Sequence, residues 1–320
     1  MKSMFTEFLD SALEGTVVAS FSKLGYEARQ NLHDWEPVDT HLGGQSALVT
    51  GSTSGLGKAI AEGLLTLGAE VHVTSRSKER AAETVEALNQ QGYEGRAVAH
   101  SLDTGDFESI VALVSEMTAL PNGLDMLINN AGALSPEYRT DARGTELTVS
   151  THLIGPYLLT TRLRPHLTEG SRVVFMSSGG MYTQGLDVDH IEMSKEHYRG
   201  AVAYARAKRG QVEMVTHLAP QWAPSVIMHS VHPGWVDTAG VDAGIPGFGK
   251  LMGPILRTAE QGADTTIWLA ATGGGKADAG QFWLDREPRR TVYWPGTGTT
   301  EAERRRLIDW LDRMIEPALS

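Results

Sequence analysis

The sequence predicts an α/β protein built on one doubly wound, mostly parallel sheet. Short apolar or alternating runs of strand length take turns with stretches of helical spacing from residue 44 to residue 285. The first such run passes directly into a glycine-rich turn and then a helix. No internal repeat or low-complexity tract interrupts the alternation.

Residues 1–43 precede the first strand and form an expected helical extension. Phe5, Leu9, Leu13, Val17 and Phe21 recur every four residues, so the segment reads as one amphipathic helix. Its polar face carries Glu7, Asp10 and Glu14, which an anionic membrane repels. Packing on the body of the protein or on a partner subunit is therefore expected in preference to membrane contact.

The strands are predicted at Ser46–Thr50, Glu70–Ser75, Arg96–His100, Leu124–Asn129, Arg172–Ser177 and Val226–Val231, with Gln281–Asp285 as a final one. Helices are expected near 55–68, 78–91, 107–119, 145–166, 200–219 and 259–271. Residues 286–320 form a polar tail with Pro288 and Pro295, ending in a helix. Thr300 and Glu303 have capping-box spacing there, and Leu307, Trp310, Leu311 and Ile315 make the apolar stripe. The tail is expected to pack on the body or to join copies into a homo-oligomer.

With 320 residues, the chain suits one large domain with extensions. It has no cysteine, which excludes disulfides, thiolate catalysis and cysteine-ligated zinc. That composition fits a reducing cytoplasm, the expected location. A net charge of −11 argues against nucleic acid as a partner. Arg304, Arg305 and Arg306 read as a solvated helix face. No apolar run approaches the roughly 18 residues of a membrane span. Asp10 and Glu14 interrupt the apolar region a signal peptide needs. The histidines lack metal-ligand spacing, and Asp187, Asp189 and His190 read as a polar surface loop, so no metal is expected.

The turn after the first strand is Thr50-Gly51-Ser52-Thr53-Ser54-Gly55-Leu56-Gly57. Glycines let backbone approach a pyrophosphate, and the helix that follows offers free N–H groups to it. The second strand ends in Thr74-Ser75-Arg76, without the acidic residue that usually binds the 2′-hydroxyl of NAD. Arg76 can grip a 2′-phosphate instead, which favours NADP over NAD. Asp103 follows the third strand as an acceptor for an adenine amino group or as a loop carboxylate, Asp106 being better placed for helix capping. Asn129-Asn130-Ala131-Gly132 ends the fourth strand; its small residues leave room for cofactor, and its amides could instead stabilise the turn.

Tyr204 and Lys208 lie one helical turn apart, on one face. A cation beside a phenol favours phenolate and suits acid–base work on an alcohol or carbonyl. Ser178, after the fifth strand, can hold a substrate oxygen; the surrounding Ser177-Ser178-Gly179-Gly180 is no nucleophile elbow. Pro233-Gly234-Trp235-Val236-Asp237-Thr238 follows the sixth strand, where exposed backbone could hold a nicotinamide carboxamide. Ile245, Pro246, Phe248, Leu251, Met252, Ile255 and Leu256 then form an apolar segment, either a lid or core.

In this order, Thr50–Gly57, Asn129–Gly132, Ser178, Tyr204 with Lys208, and Pro233-Gly234 resemble the short-chain dehydrogenase/reductase family over residues 44–285. The long gap between Ser178 and Tyr204 is similar to the retinol-dehydrogenase-like branch. Gly25-Tyr26-Glu27-Ala28, His232-Pro233-Gly234-Trp235 and Gln261-Gly262-Ala263-Asp264 point to a narrower subgroup. The resemblance implies a Rossmann-type domain in which cofactor is held by Thr50, Gly51, Ser52, Thr53, Ser54, Gly55, Leu56, Gly57, Arg76, Asp103, Asn130, Ala131, Gly132, Tyr204, Lys208, Pro233, Gly234, Val236 and Thr238. It implies that Tyr204 exchanges a proton with the substrate oxygen, that Lys208 binds the nicotinamide ribose and lowers the tyrosine pKa, and that Ser178 orients the substrate. His152 stands where the family usually has an asparagine that helps hold a water of the proton relay. A neutral histidine can donate or accept one hydrogen bond in its place, or serve structure alone.

The function expected is an NADP-dependent alcohol dehydrogenase or carbonyl reductase for a small to medium apolar substrate. The alternative is a dinucleotide-binding regulatory or interaction protein with little turnover. Specificity is expected from residues 183–199 and 239–257.

Overall fold

The computed structural model describes residues 9–11, 13–237, 253–274, 278–293 and 296–319. Its eight strands form a single sheet in the order β3-β2-β1-β4-β5-β6-β7-β8. They are β1 (Ser46–Val49), β2 (Glu70–Ser75), β3 (Arg96–Ser101), β4 (Leu124–Asn129), β5 (Leu167–Met176), β6 (Val226–Val231), β7 (Phe282–Leu284) and β8 (Glu287–Pro288). Every pairing is parallel except that of β7 with β8. The strand order reverses between β1 and β4, the crevice where sheets of this class bind ligands.

Alternation along the central strands divides the core between two faces. Leu48, Leu127, Val173 and Phe175 point to one face, and Ala47, Val49, Ile128 and Val174 to the other. The first face is covered by Phe107–Met117, Gly155–Leu163 and Gly200–Trp222, through residues such as Ile110, Leu158 and Val215. The second is covered by Gly55–Thr66, Lys78–Asn89 and Ala259–Thr272, through Ile60, Leu64, Leu88 and Leu269. Burying apolar rows on both faces is what a parallel sheet requires.

The tail helix, Glu301–Ile315, starts on the expected capping box of Thr300 and Glu303 and buries Leu307, Leu311 and Ile315 on the first face. One expectation for it is corrected. Arg305 and Arg306 are exposed as expected, but Arg304 is half-buried and its Nε lies 2.7 Å from the carboxylate of buried Glu213, which Arg209 also holds at 2.7 Å. Leaving that acid unpaired inside the protein would be costly. Arg306 reaches Asp189 on the surface.

The extension is also corrected. The single helix expected through Phe21 is broken at Gly15-Thr16, resumes at Val17–Phe21, breaks at Ser22, and continues as Lys23–Leu32. Ser22 is extended, with ψ near 174°, and its hydroxyl donates to Ala19 O at 3.0 Å. The two pieces then cross so closely that a Cβ at Gly25 would fall 2.3 Å from Ala19 O. Hence Val17 is 55% exposed while Phe21 is buried, although both share the apolar stripe. Phe5 lies outside the described residues.

Candidate active site

The ends of β1, β4, β5 and β6 meet at the carboxyl rim of the sheet. There the turn Thr50–Gly57 is shaped by its glycines. Gly51 has φ +66°, and a Cβ on it would fall 2.9 Å from Ala131 Cα. A Cβ on Gly57 would come within 2.4 Å of both Gly51 O and Asn130 Nδ2. Thr50 Oγ1 accepts from the backbone N–H of Asn130 at 2.9 Å and of Ala131 at 2.8 Å. The Asn130 amide donates to Thr50 O at 2.8 Å, so it stitches two turns together. Ser52 donates to Val49 O and accepts from Thr74 N, which ties the turn to β2. Ser54 precedes the helix without capping it, and Thr53, Ser54 and Gly55 reach the surface. The helix therefore presents backbone donors and its positive end across a cradle free of side-chain bulk, which fits a dinucleotide pyrophosphate.

Arg76 is exposed at the end of β2. Asp103 Oδ1 accepts from Gly105 N at 2.9 Å, while Asp106 caps Phe107–Met117 through Glu108 N at 3.0 Å. Capping thus falls to Asp106, and Asp103 shapes the loop.

Ser178, Tyr204, Lys208 and His152 gather beside this turn. Lys208 Nζ lies 5.5 Å from the centre of the Tyr204 ring, and the His152 ring meets Tyr204 edge-on at 5.0 Å. The Ser178 hydroxyl lies beside the phenol and favours its ionised form; its Oγ accepts from Gly180 N at 3.2 Å. Ser177 donates to Lys208 O at 3.0 Å, which docks the helix carrying the pair against β5.

Electrostatics differ from the expectation in one respect. Burial pushes the Tyr204 phenol above its ordinary 10, and the neighbouring Ser178 hydroxyl opposes this only in part. The lowering expected from Lys208 is therefore not what sets the phenol, because desolvation of the phenolate is the dominant effect. Burial brings Lys208 down from 10.5 to about 7. His152 is held down to about 3, by burial first and then by the charge of Lys208. Its Nε2 shares a 2.9 Å hydrogen bond with Ala133 O, and Nδ1 has no protein partner among the described residues. The ring is neutral, consistent with a structural contact to the Gly132 turn.

Pro233, Gly234 and Val236 lie at the same rim. Gly234 has φ +80°, and a Cβ there would strike the Arg257 guanidinium 2.2 Å away. Val236 is buried, and Thr238 lies outside the described residues. Of the expected lid, Gly253–Ile255 forms a short 3₁₀ turn and Leu256 is buried; Ile245, Pro246, Phe248, Leu251 and Met252 lie outside the described residues.

Sequence reasoning missed the clamp on this loop. Trp235 N donates to Phe21 O at 2.7 Å, and Arg257 donates from Nε to Phe21 O at 3.1 Å and from Nη2 to Ser20 O at 3.1 Å. Asp285 anchors Arg257 at 2.5 Å and Arg29 at 2.7 Å, and Arg29 also holds Asp10 at 2.7 Å. The Phe21 ring meets His232 edge-on at 4.4 Å. The N-terminal extension is thereby built into the rim of the site. Gln211, one turn beyond Lys208 and bonded to it at 3.2 Å, was also missed. Its three-residue spacing from Lys208 was the available signal.

No helix among the described residues is long and apolar enough to cross a membrane. A family model for short chain dehydrogenases matches residues 45–244. The chain is 33% identical over 302 residues to dehydrogenase/reductase SDR family member 12 of Homo sapiens, covering 92% of this chain and 94% of that protein. It is 28% identical over 276 residues to retinol dehydrogenase 11 of Mus musculus, covering 85% and 86%. The narrower resemblance at Gly25–Ala28 and His232–Trp235 agrees with the first of these. Among solved structures, an uncharacterised protein from Mycobacterium paratuberculosis superposes with a TM-score of 0.70 at 21% identity, over 88% of this chain and 97% of that one. The promiscuous reductase LugOII superposes with a TM-score of 0.60 at 27% identity, over 76% and 96%. With the sheet order, the glycine turn and these matches in agreement, the chain belongs to the short-chain dehydrogenase/reductase family, whose oxidoreductases bind NAD(P) and act on small molecules.

Proposed function

We propose that the protein is an NADP-dependent carbonyl reductase, or in reverse an alcohol dehydrogenase, for a small to medium apolar substrate. The observation that carries this reading is the meeting of the Ser178 hydroxyl, the Tyr204 phenol and the Lys208 ammonium at the sheet rim beside the Thr50–Gly57 turn. Thr50, Gly51, Ser52, Thr53, Ser54, Gly55, Leu56 and Gly57 would hold the pyrophosphate. Asp103, Asn130, Ala131 and Gly132 would border the adenine and ribose, and Pro233, Gly234, Val236 and Thr238 the nicotinamide end.

When bound, the nicotinamide supplies the hydride. The chain does the rest. Tyr204, its phenol kept protonated at neutral pH by burial, gives its proton to the substrate oxygen as the carbonyl becomes an alcohol. Ser178 donates a hydrogen bond to the same oxygen as charge builds on it. Lys208 stabilises the tyrosinate left behind, and His152 packs the phenol in place from the side. LugOII is described as catalysing a keto-reduction, which supports the direction proposed. Arg76, exposed where an NAD-type site would carry an acid, supports NADP. The cysteine-free sequence supports a cytoplasmic setting. The tail and extension are the surfaces proposed for any self-association.

The second reading, a dinucleotide-binding protein with little turnover, is favoured by His152, which puts an uncharged ring where the family usually places a relay asparagine. One experiment separates the two. The purified full chain is titrated with NADPH by fluorescence, then given NADPH carrying deuterium at the transferable position with a panel of aldehydes, ketones and quinones. A deuterated alcohol product supports the enzyme. Tight NADPH binding with no label transferred to any carbonyl supports the alternative.

A further inference from the structure

Lys208 is buried at 3% exposure, so its ammonium must find partners within the protein. Met176 O accepts one N–H at 2.5 Å and Gln211 Oε1 a second at 3.2 Å. Gln211 is itself buried at 1% exposure, and its Nε2 donates to His152 O at 2.5 Å. In an α-helix the partner of that carbonyl would be the residue four positions on, and that residue is Pro156, which has no N–H. The π-helical turn Ser150–Ile154 sits at the same place. A carboxamide suits the gap because it accepts at one end and donates at the other. The orientation is set by its neighbours, since a flipped amide would point N–H groups at an ammonium and an oxygen at a carbonyl.

We propose that Gln211 is a positioning residue that spans from the Lys208 ammonium to the His152 main chain, favouring the charged form of Lys208 and aiming it at the Tyr204 side of the site. The proposal rests on the reading of Lys208 given above and deepens it: a side chain of the protein takes the bridging position between the lysine and the helix carbonyl. The groups facing Lys208 are Tyr204 and Gln211 from its own helix, Met176 O from the end of β5, and the neutral His152 ring from the π turn. None of these carries a negative charge at neutral pH, so the amide oxygen of Gln211 is a principal support of the cation.

The test is an NMR titration of the cofactor-free full chain labelled at lysine Cε, with the Lys208 signal assigned by its loss in Lys208→Met. Gln211→Leu is expected to lower the Lys208 pKa by about one unit, as for loss of one hydrogen bond to a charged group. Gln211→Glu is expected to raise it, because the new carboxylate faces the ammonium. Opposite shifts from two replacements at one site are not produced by general loosening of the helix. If Gln211→Leu fails to fold, the upward shift in Gln211→Glu still supports the proposal. An unchanged Lys208 titration in either folded variant overturns it. Turnover of Tyr204→Phe, measured in parallel, keeps the two ideas apart. Full activity there overturns the reading of the site itself, whereas an inactive Tyr204→Phe with an unmoved Lys208 overturns only the role of Gln211.

Discussion

The imidazole of His152 fills the space that a side chain at Gly132 would need. A Cβ added at Gly132 would fall 2.1 Å from His152 Cε1 and 2.5 Å from Nδ1. The last glycine of Asn129-Asn130-Ala131-Gly132 is therefore paired with the departure at position 152. The turn beside Thr50–Gly57 and the ring that packs against Tyr204 share one contact.

From this contact, Gly132→Ala is expected to cost about 1–3 kcal/mol, the usual penalty for overpacking a fixed site. His152→Asn, smaller at the clash, is expected to recover part of that cost in the double variant. Urea unfolding of the two single variants and the double variant measures the coupling. Strictly additive losses would show that the two positions do not meet.

Much of this site was legible in the sequence, for local reasons. The turn Thr50–Gly57 and the pair Tyr204 and Lys208 each lie within about one or two helical turns of chain, so spacing alone places their groups together. The central strands were legible because two-sided burial demands apolar runs bounded by turns. What was not legible is long-range. Arg29 and Asp285 are 256 residues apart, and no local pattern announces that they will meet. The break in the extension at Ser22 was hidden because a four-residue repeat of apolar residues says nothing about a crossing at Gly25. The direction of the Tyr204 shift depends on burial, which spacing does not report.

Arg76→Ala is expected to weaken NADPH binding by about tenfold or more while leaving NADH nearly unchanged, as for losing one charge-assisted contact to a phosphate. Fluorescence titration with both cofactors measures it. Equal effects on the two would remove Arg76 from the 2′-phosphate and leave cofactor choice to other residues.

Asp285→Asn is expected to cost about 3–5 kcal/mol, because it leaves the buried Arg29 and Arg257 without their shared counter-charge. The replacement suits the backbone, since Asp285 has φ +57° and asparagine tolerates that region. Chemical denaturation of the full chain measures the loss. A change below about 1 kcal/mol, the range of a surface pair, would mean that the cluster does not hold the extension in place.

Acid should weaken the fold before its carboxylates titrate. Burial holds His152 and His232 down to about 3 and His72 and His229 to about 4, against an ordinary 6.5. As pH falls through 6.5 the unfolded chain takes up protons that the folded chain refuses, so stability present above that value is progressively lost below it. The melting temperature of the cofactor-free protein is expected to fall steadily from pH 7 to pH 5. A flat profile over that window would mean that these rings accept protons without strain.

The most direct test of the central claim is carbonyl reduction by Tyr204→Phe, with NADPH affinity measured on the same preparation. The phenol is proposed as the proton donor, so kcat should fall by about 100-fold to 10,000-fold while the NADPH Kd stays within about threefold of wild type. A Tyr204→Phe variant that keeps its turnover on a substrate the wild type reduces would contradict the account.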